Sequence, residues 1–306
     1  MLVAVLQTAL PVFAALMLGM LCRSKGFLTR DGVDTLKKVV INFTLPFVLV
    51  NAFATAEYTL AALLLPLTVF AVCCIALALG YGIIRLFKVQ SQLAPFLATG
   101  FEAGMLGYAL FVLLFPEEST SKFALLDIGQ TLFVFTLFKI LLSGKKDIKA
   151  IAKDMATTPI LWAVLVGVLL GATALYKAMG SWGISGILDS LTSFLSAPTG
   201  MIILLTVGYD LVLREIPWGK VSGFIAMRLV VMAVCFGIFL LLNRTVLNGM
   251  IFEGAALLMV ILPPPYVIPV FADEPAERTQ IASALSALTL VTMVLFALFS
   301  VLVNLG

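Results

Sequence analysis

Between Gly254 and Ala272 the chain carries no charged side chain, yet four prolines fall inside that run. Three are consecutive, in "LMVILPPPYVIPVF" at 258–271. Proline lacks a backbone N–H, and its ring clashes with the preceding helical turn. A run this apolar belongs in lipid, but it cannot be one continuous helix. A backbone break at membrane depth leaves N–H and C=O groups that cost several kcal/mol each when unsatisfied. Such a break survives only where it faces protein, water or a ligand.

Composition places the run in lipid. The 306 residues are 62% hydrophobic and 11% charged, whereas a soluble domain carries about 25% charged residues. This chain cannot cover a water-facing surface, so it reads as an all-α integral membrane protein. About twenty apolar residues cross a bilayer as a helix. Ten stretches satisfy that length, near 2–22, 33–53, 60–87, 92–115, 123–143, 158–177, 187–213, 218–243, 252–273 and 279–304. The first lacks a basic segment before its apolar run and reads as a retained span rather than a signal peptide. Basic residues sit in short loops without an aromatic-bearing basic face, which excludes nucleic acid as a partner. The partner is the lipid bilayer. There is no histidine, and the four cysteines include no CxxC. That removes most zinc sites and the His-dependent nucleophilic dyads and triads. The cysteines read as small packing residues. No metal and no organic cofactor is expected.

Orientation follows from Lys and Arg. The odd-numbered connections hold fourteen of them, among them Arg23, Arg30, Lys37, Lys145, Arg214 and Arg278, and the even-numbered ones three, Lys122, Lys177 and Arg244. The odd connections are therefore cytoplasmic and both termini lie outside. The polar connection "SGKKDIKAIAKD" at 143–154 divides the chain near its middle.

The two halves, 1–150 and 151–306, resemble each other. "PVFAALMLG" in the first span matches "PILWAVLVG" in the sixth, and "TLPFVLV" in the second matches "SAPTGMIILL" in the seventh. The glycine cluster "GFEAGMLG" of the fourth span stands where the ninth carries its prolines. Five spans per half is an odd number, so the second half is inverted relative to the first. Inverted repeats with interrupted corresponding spans point to a secondary transporter.

On these segments the chain resembles the auxin efflux carrier family, bacterial permeases related to the plant auxin exporters. "LPVFAALMLGMLCRSKGFLT", "VVINFTLPFVLVNAF", "TPILWAVLVGVLLG" and "APTGMIILLTVGYDL" are similar to its first, second, sixth and seventh helices. "EAGMLGYAL" and "LPPPYVIPVFADE" fall at its two crossover segments. The resemblance implies ten helices in a 5+5 inverted repeat, with broken, crossing helices 4 and 9. It implies a scaffold of helices 1, 2, 6 and 7, often a homodimer contact, and a moving transport domain of helices 3–5 and 8–10. It implies a small organic anion such as a carboxylate as substrate, and the cytoplasmic membrane of a bacterium as the location. Pro263 maps to the crossover proline of the ninth helix, and Gly104 and Gly107 to the break of the fourth. Three positions depart from the family pattern: Glu102 and Val267 replace its crossover asparagines, and Ala109 replaces a proline.

Glu102 lies well inside the fourth span beside the helix-breaking glycines. A carboxylate at that depth costs about 2.5–3.5 kcal/mol and needs a partner or a proton. It reads as a proton carrier or cation ligand, or as a structural carboxyl on freed N–H groups. Glu102, together with Gly104, Gly107, Tyr108, Pro263, Pro264, Tyr266 and Val267, makes up the candidate substrate-binding residues. Asp127 and Gln130, early in the fifth span, are candidates for ion or proton coupling, or for ordinary interhelical hydrogen bonds. Asp210 ends the seventh span with Arg214 one turn on, an i,i+4 pair. Arg228, in the eighth span, either snorkels to the interface or partners an anion. The leading expectation is a proton-coupled organic-anion transporter. The alternatives are a sodium-coupled symporter of the bile-acid type, a transporter-like sensor without transport, and an intramembrane aspartyl protease prompted by "GYD" at 208–210. The last needs two facing aspartates.

Overall fold

The computed structural model describes residues 2–56, 58, 64–143, 157–211, 216–272 and 274–303, and the described residues are helical or irregular, with no strand among them. The polar connection at 144–154 and Arg214 lie outside them. The helices are α1 (Leu2–Ser24), α2 (Arg30–Val39), α3 (Leu45–Ala54), α4 (Leu64–Leu86), α5 (Tyr108–Leu114), α6 (Ser121–Phe133), α7 (Lys139–Ser143), α8 (Pro159–Ala172), α9 (Leu175–Ser181), α10 (Ser185–Ser196), α11 (Thr199–Asp210), α12 (Trp218–Thr245), α13 (Glu253–Ile261) and α14 (Pro275–Val303).

The chain is a multi-pass membrane protein. Among the described residues eight helical segments are long and apolar enough to cross a bilayer, and α8 with α9 makes a ninth, bent by 64°. The bend falls at Ala174, whose backbone is left-handed (φ 55°). The ninth expected span, 252–273, is not a continuous helix. After the nine residues of α13 the backbone turns extended at Leu262 (φ −62°, ψ 151°) and recovers only a short 3-10 turn, Ile268–Phe271. The cause is local: Pro263, Pro264 and Pro265 offer no N–H to the last carbonyls of α13.

Segment 94–114 is also interrupted. A 3-10 turn at Ala94–Ala98 ends where Thr99 becomes extended (φ −135°, ψ 170°), and helix resumes as a π-turn at Ala103–Gly107 that runs into α5. Gly100 sits at φ +67°, and a Cβ there would come within 2.9 Å of the Pro265 ring. Only glycine takes that backbone shape at so close an approach. The Thr99 hydroxyl, fully buried, ties the break to α4 through the Cys73 carbonyl at 2.7 Å.

Packing sorts the helices into two sets. α1 lies along α11, and α3 lies along α8 and α10. In the second set α4 packs on α6, on α12 and on the 94–98 turn, while α12 packs on α13 and α14. The α1–α11 seam is backbone to backbone. A Cβ added at Gly19 would sit 2.0 Å from the Leu205 carbonyl oxygen, and one at Gly208 would sit 2.1 Å from that of Leu16. Without a hydrophobic drive between helices in lipid, such close approach of small residues is what holds them. Gly208→Val is therefore expected to lower the melting temperature of the detergent-solubilised protein by about 5 °C or more, since overpacking costs a few kcal/mol. Gly223→Val, where an added Cβ meets nothing within 4 Å, is the control and should melt like wild type. Equal melting of the two variants would rule out a close-packed seam.

Candidate functional site

The two interruptions touch. The Glu102 N–H donates to the Pro263 carbonyl at 2.9 Å, and the Glu102 Oε2 accepts the Tyr266 N–H at 2.8 Å. One residue thus brackets the proline run with its main chain and its side chain. Its own carbonyl accepts from Leu106 and Gly107, starting the next helical turn. Glu102 is half-buried, and its carboxyl borders an open cavity of about 980 Å³.

On the other side of the junction stands Arg228. Its guanidinium donates to the carbonyls of Leu97 (3.3 Å), Gly100 (2.8 Å) and Leu262 (2.8 Å), and lies 5.3 Å over the Phe101 ring. These are the carbonyls released where the first arm and α13 stop being helical. A helix C-terminus carries partial negative charge, so one cation answers two ends at once. Arg228 is 3% exposed and does not line the cavity. It therefore neither snorkels to an interface nor partners an anion in the cavity. The physical reason is that broken backbone in lipid needs donors, and arginine supplies several on one rigid plane. Another freed carbonyl, that of Ile261, accepts the Thr292 hydroxyl at 2.6 Å.

α6 supplies the rest of the cavity floor. Asp127, 6% exposed, accepts the Tyr108 hydroxyl at 3.0 Å and the Thr131 hydroxyl at 3.3 Å. Gln130 donates through Nε2 to the Phe101 carbonyl at 2.6 Å, next to Glu102, while its Oε1 is buried without a partner. Tyr266 lines the cavity, and its hydroxyl meets that of Thr289 at 3.0 Å. Gly104 and Val267 also line it, and Gly104 leaves room, since an added Cβ would be 3.7 Å from Leu45.

Four candidates stand behind the surface. Pro263 and Pro264 are buried and shape the break, while Pro265 reaches the cavity. Gly107 is packed between Phe123 and Leu262. Tyr108 is buried, and its hydroxyl is spent on Asp127. The cavity walls are apolar, with Ile41, Leu45, Leu49, Phe101, Phe135, Phe138 and Phe271. Five cations also line it, Arg23, Arg30, Lys37, Lys139 and Arg278, and the exposed Arg30 marks its open end. Sequence reasoning counted most of those cations only for orientation. The signal available was the spacing of Arg30 and Lys37, two turns apart on one face of α2. Asp210 itself is held by Arg30 and Lys37, each at 2.5 Å. A facing aspartate of the kind a protease dyad needs is not its partner. Among the described residues no group of three or more His, Cys, Asp or Glu could hold a metal ion.

No protein-family model matches the chain. The chain is similar to an uncharacterized transporter of Methanothermobacter thermautotrophicus, 27% identical over 218 residues that cover 68% of each protein.

Proposed function

We propose that this chain is a secondary transporter of the auxin efflux carrier type. It moves a small organic anion across the cytoplasmic membrane by alternating access around the junction of the two broken segments. The observation that carries the reading is the Glu102 junction at the floor of the 980 Å³ cavity. Interrupted spans that meet at a cavity are where secondary transporters build their substrate sites, and a cavity lined by five cations favours an anion. The similarity to a protein named as a transporter points the same way.

In this reading the ten stretches form a 5+5 inverted repeat, with 151–306 inverted relative to 1–150. The α1, α3, α8, α10 and α11 set is the scaffold and the homodimer contact. The set built on α4, α6, α12, α13 and α14 moves. The cationic open end faces the cytoplasm. Glu102 carries the coupling proton, with Asp127 and Gln130 beside it. One observation favours sodium instead: the buried, unpartnered Oε1 of Gln130 is a free oxygen ligand near two carboxylates. Uptake of labelled carboxylates into reconstituted vesicles decides between them. A proton gradient alone should drive accumulation. Accumulation driven by sodium at uniform pH would replace the proton with sodium, and no uptake of any carboxylate under either gradient would end the anion-transport reading.

A further inference from the structure

Asp210 ends α11 at the open end of the cavity. Its two carboxylate oxygens are taken separately. Arg30 Nη1 reaches Oδ1 at 2.5 Å, and Lys37 Nζ reaches Oδ2 at 2.5 Å. Arg30 and Lys37 project from one face of α2, and both border the cavity. Asp34 touches the same cations more loosely, at 3.5 and 3.8 Å. Arg23 stands alongside, donating to the Tyr209 carbonyl with its guanidinium 5.9 Å above that ring.

A carboxylate at the C-terminal end of a helix faces partial negative charge, an unfavourable place for an acid. Asp210 is kept there by cations of another helix, and the arrangement is one a free carboxylate would also take: two converging donors, one per oxygen. The three side chains are 61%, 20% and 34% exposed for Arg30, Lys37 and Asp210, so solutes in the cavity reach them. Ion pairs this exposed exchange readily for competing ions.

We propose that Arg30 and Lys37 form a carboxylate-binding site at the open end of the cavity, and that Asp210 fills it as an internal stand-in. An incoming organic carboxylate displaces Asp210, is held there first, and then passes to the Glu102 junction. Asp210 also sets selectivity, because neutral solutes cannot compete for the two donors. This rests on the anion reading above.

The test titrates the full-length protein in detergent with benzoate, at constant ionic strength, following its melting temperature. Asp210→Asn removes the competitor and should lower the half-saturating benzoate concentration by about threefold, the scale of an exposed ion pair. Adding Lys37→Gln to that variant should reverse the gain. Equal half-saturation for wild type and Asp210→Asn overturns the proposal. If Asp210→Asn does not fold, Lys37→Gln alone serves: it should raise the half-saturation by about threefold, and an unchanged value overturns the site. A parallel arm adds phosphatidylglycerol in place of benzoate. A shift with the lipid and none with benzoate would assign these cations to a headgroup and overturn the carboxylate site. Failure of vesicle uptake with the Asp210→Asn shift intact would sink the transport reading and leave this site standing.

Discussion

Arg228→Met is expected to yield a protein that melts far below wild type and does not transport. The side chain is of similar length, so the loss is of donors rather than of volume. Three carbonyls, at Leu97, Gly100 and Leu262, lose their partner together. A buried polar group left unsatisfied costs about 1–3 kcal/mol, and hydrogen bonds from a charged donor are at the upper end. The sum is several kcal/mol even after allowing for non-additivity. Water is not at hand to replace the guanidinium, since the residue is 3% exposed. Arg228→Lys keeps the charge but not the planar fork, and one ammonium cannot meet all three oxygens as well. It should fall between wild type and Arg228→Met in both melting temperature and uptake. Wild-type melting for Arg228→Met would mean that the two breaks are held by something else.

Glu102→Gln should fold, because the amide oxygen still accepts the Tyr266 N–H and the main-chain bond to Pro263 is untouched. What the amide cannot do is take up and release a proton. Carboxylate uptake driven by a pH gradient of about one unit, worth about 1.4 kcal/mol per proton, should fall to the level seen without a gradient. Exchange of labelled for unlabelled carboxylate at uniform pH should persist. Glu102→Ala removes the Tyr266 contact as well and should lose both. Proton-driven accumulation by Glu102→Gln at the wild-type rate would take Glu102 out of the coupling step and leave it a structural bracket.

How much of this was legible beforehand varies residue by residue. The interruption at 263–265 follows from proline chemistry alone, and the one at 99–102 from a cluster of glycines around an acid. Glu102 stood out because a charge in an apolar run has few excuses. Arg228 stood out for the same reason, yet its role did not follow. Snorkelling and anion pairing are both local stories, and the carbonyls it meets belong to segments 131 and 34 residues away. Asp210 is a similar case, since its sequence neighbour Arg214 lies outside the described residues. The ion pairs that the fold shows on it come from Arg30 and Lys37, some 180 and 173 residues distant. Tyr108 was placed in the cavity by its position beside the glycines. In the fold it turns inward, and its hydroxyl donates to Asp127.

The sequence by itself determined the solvent and the punctuation. A chain 62% hydrophobic and 11% charged must face lipid, its helices must be about as long as a bilayer is thick, and its prolines and glycines decide where those helices stop. Those are properties of single residues and short windows, set by covalent geometry and transfer free energy. Only the tertiary structure decided which freed backbone groups meet, which cation answers them, and which acids border the cavity. Hydrogen bonds and ion pairs act over a few ångströms of space, and a helical chain brings residues within that range across any distance in sequence.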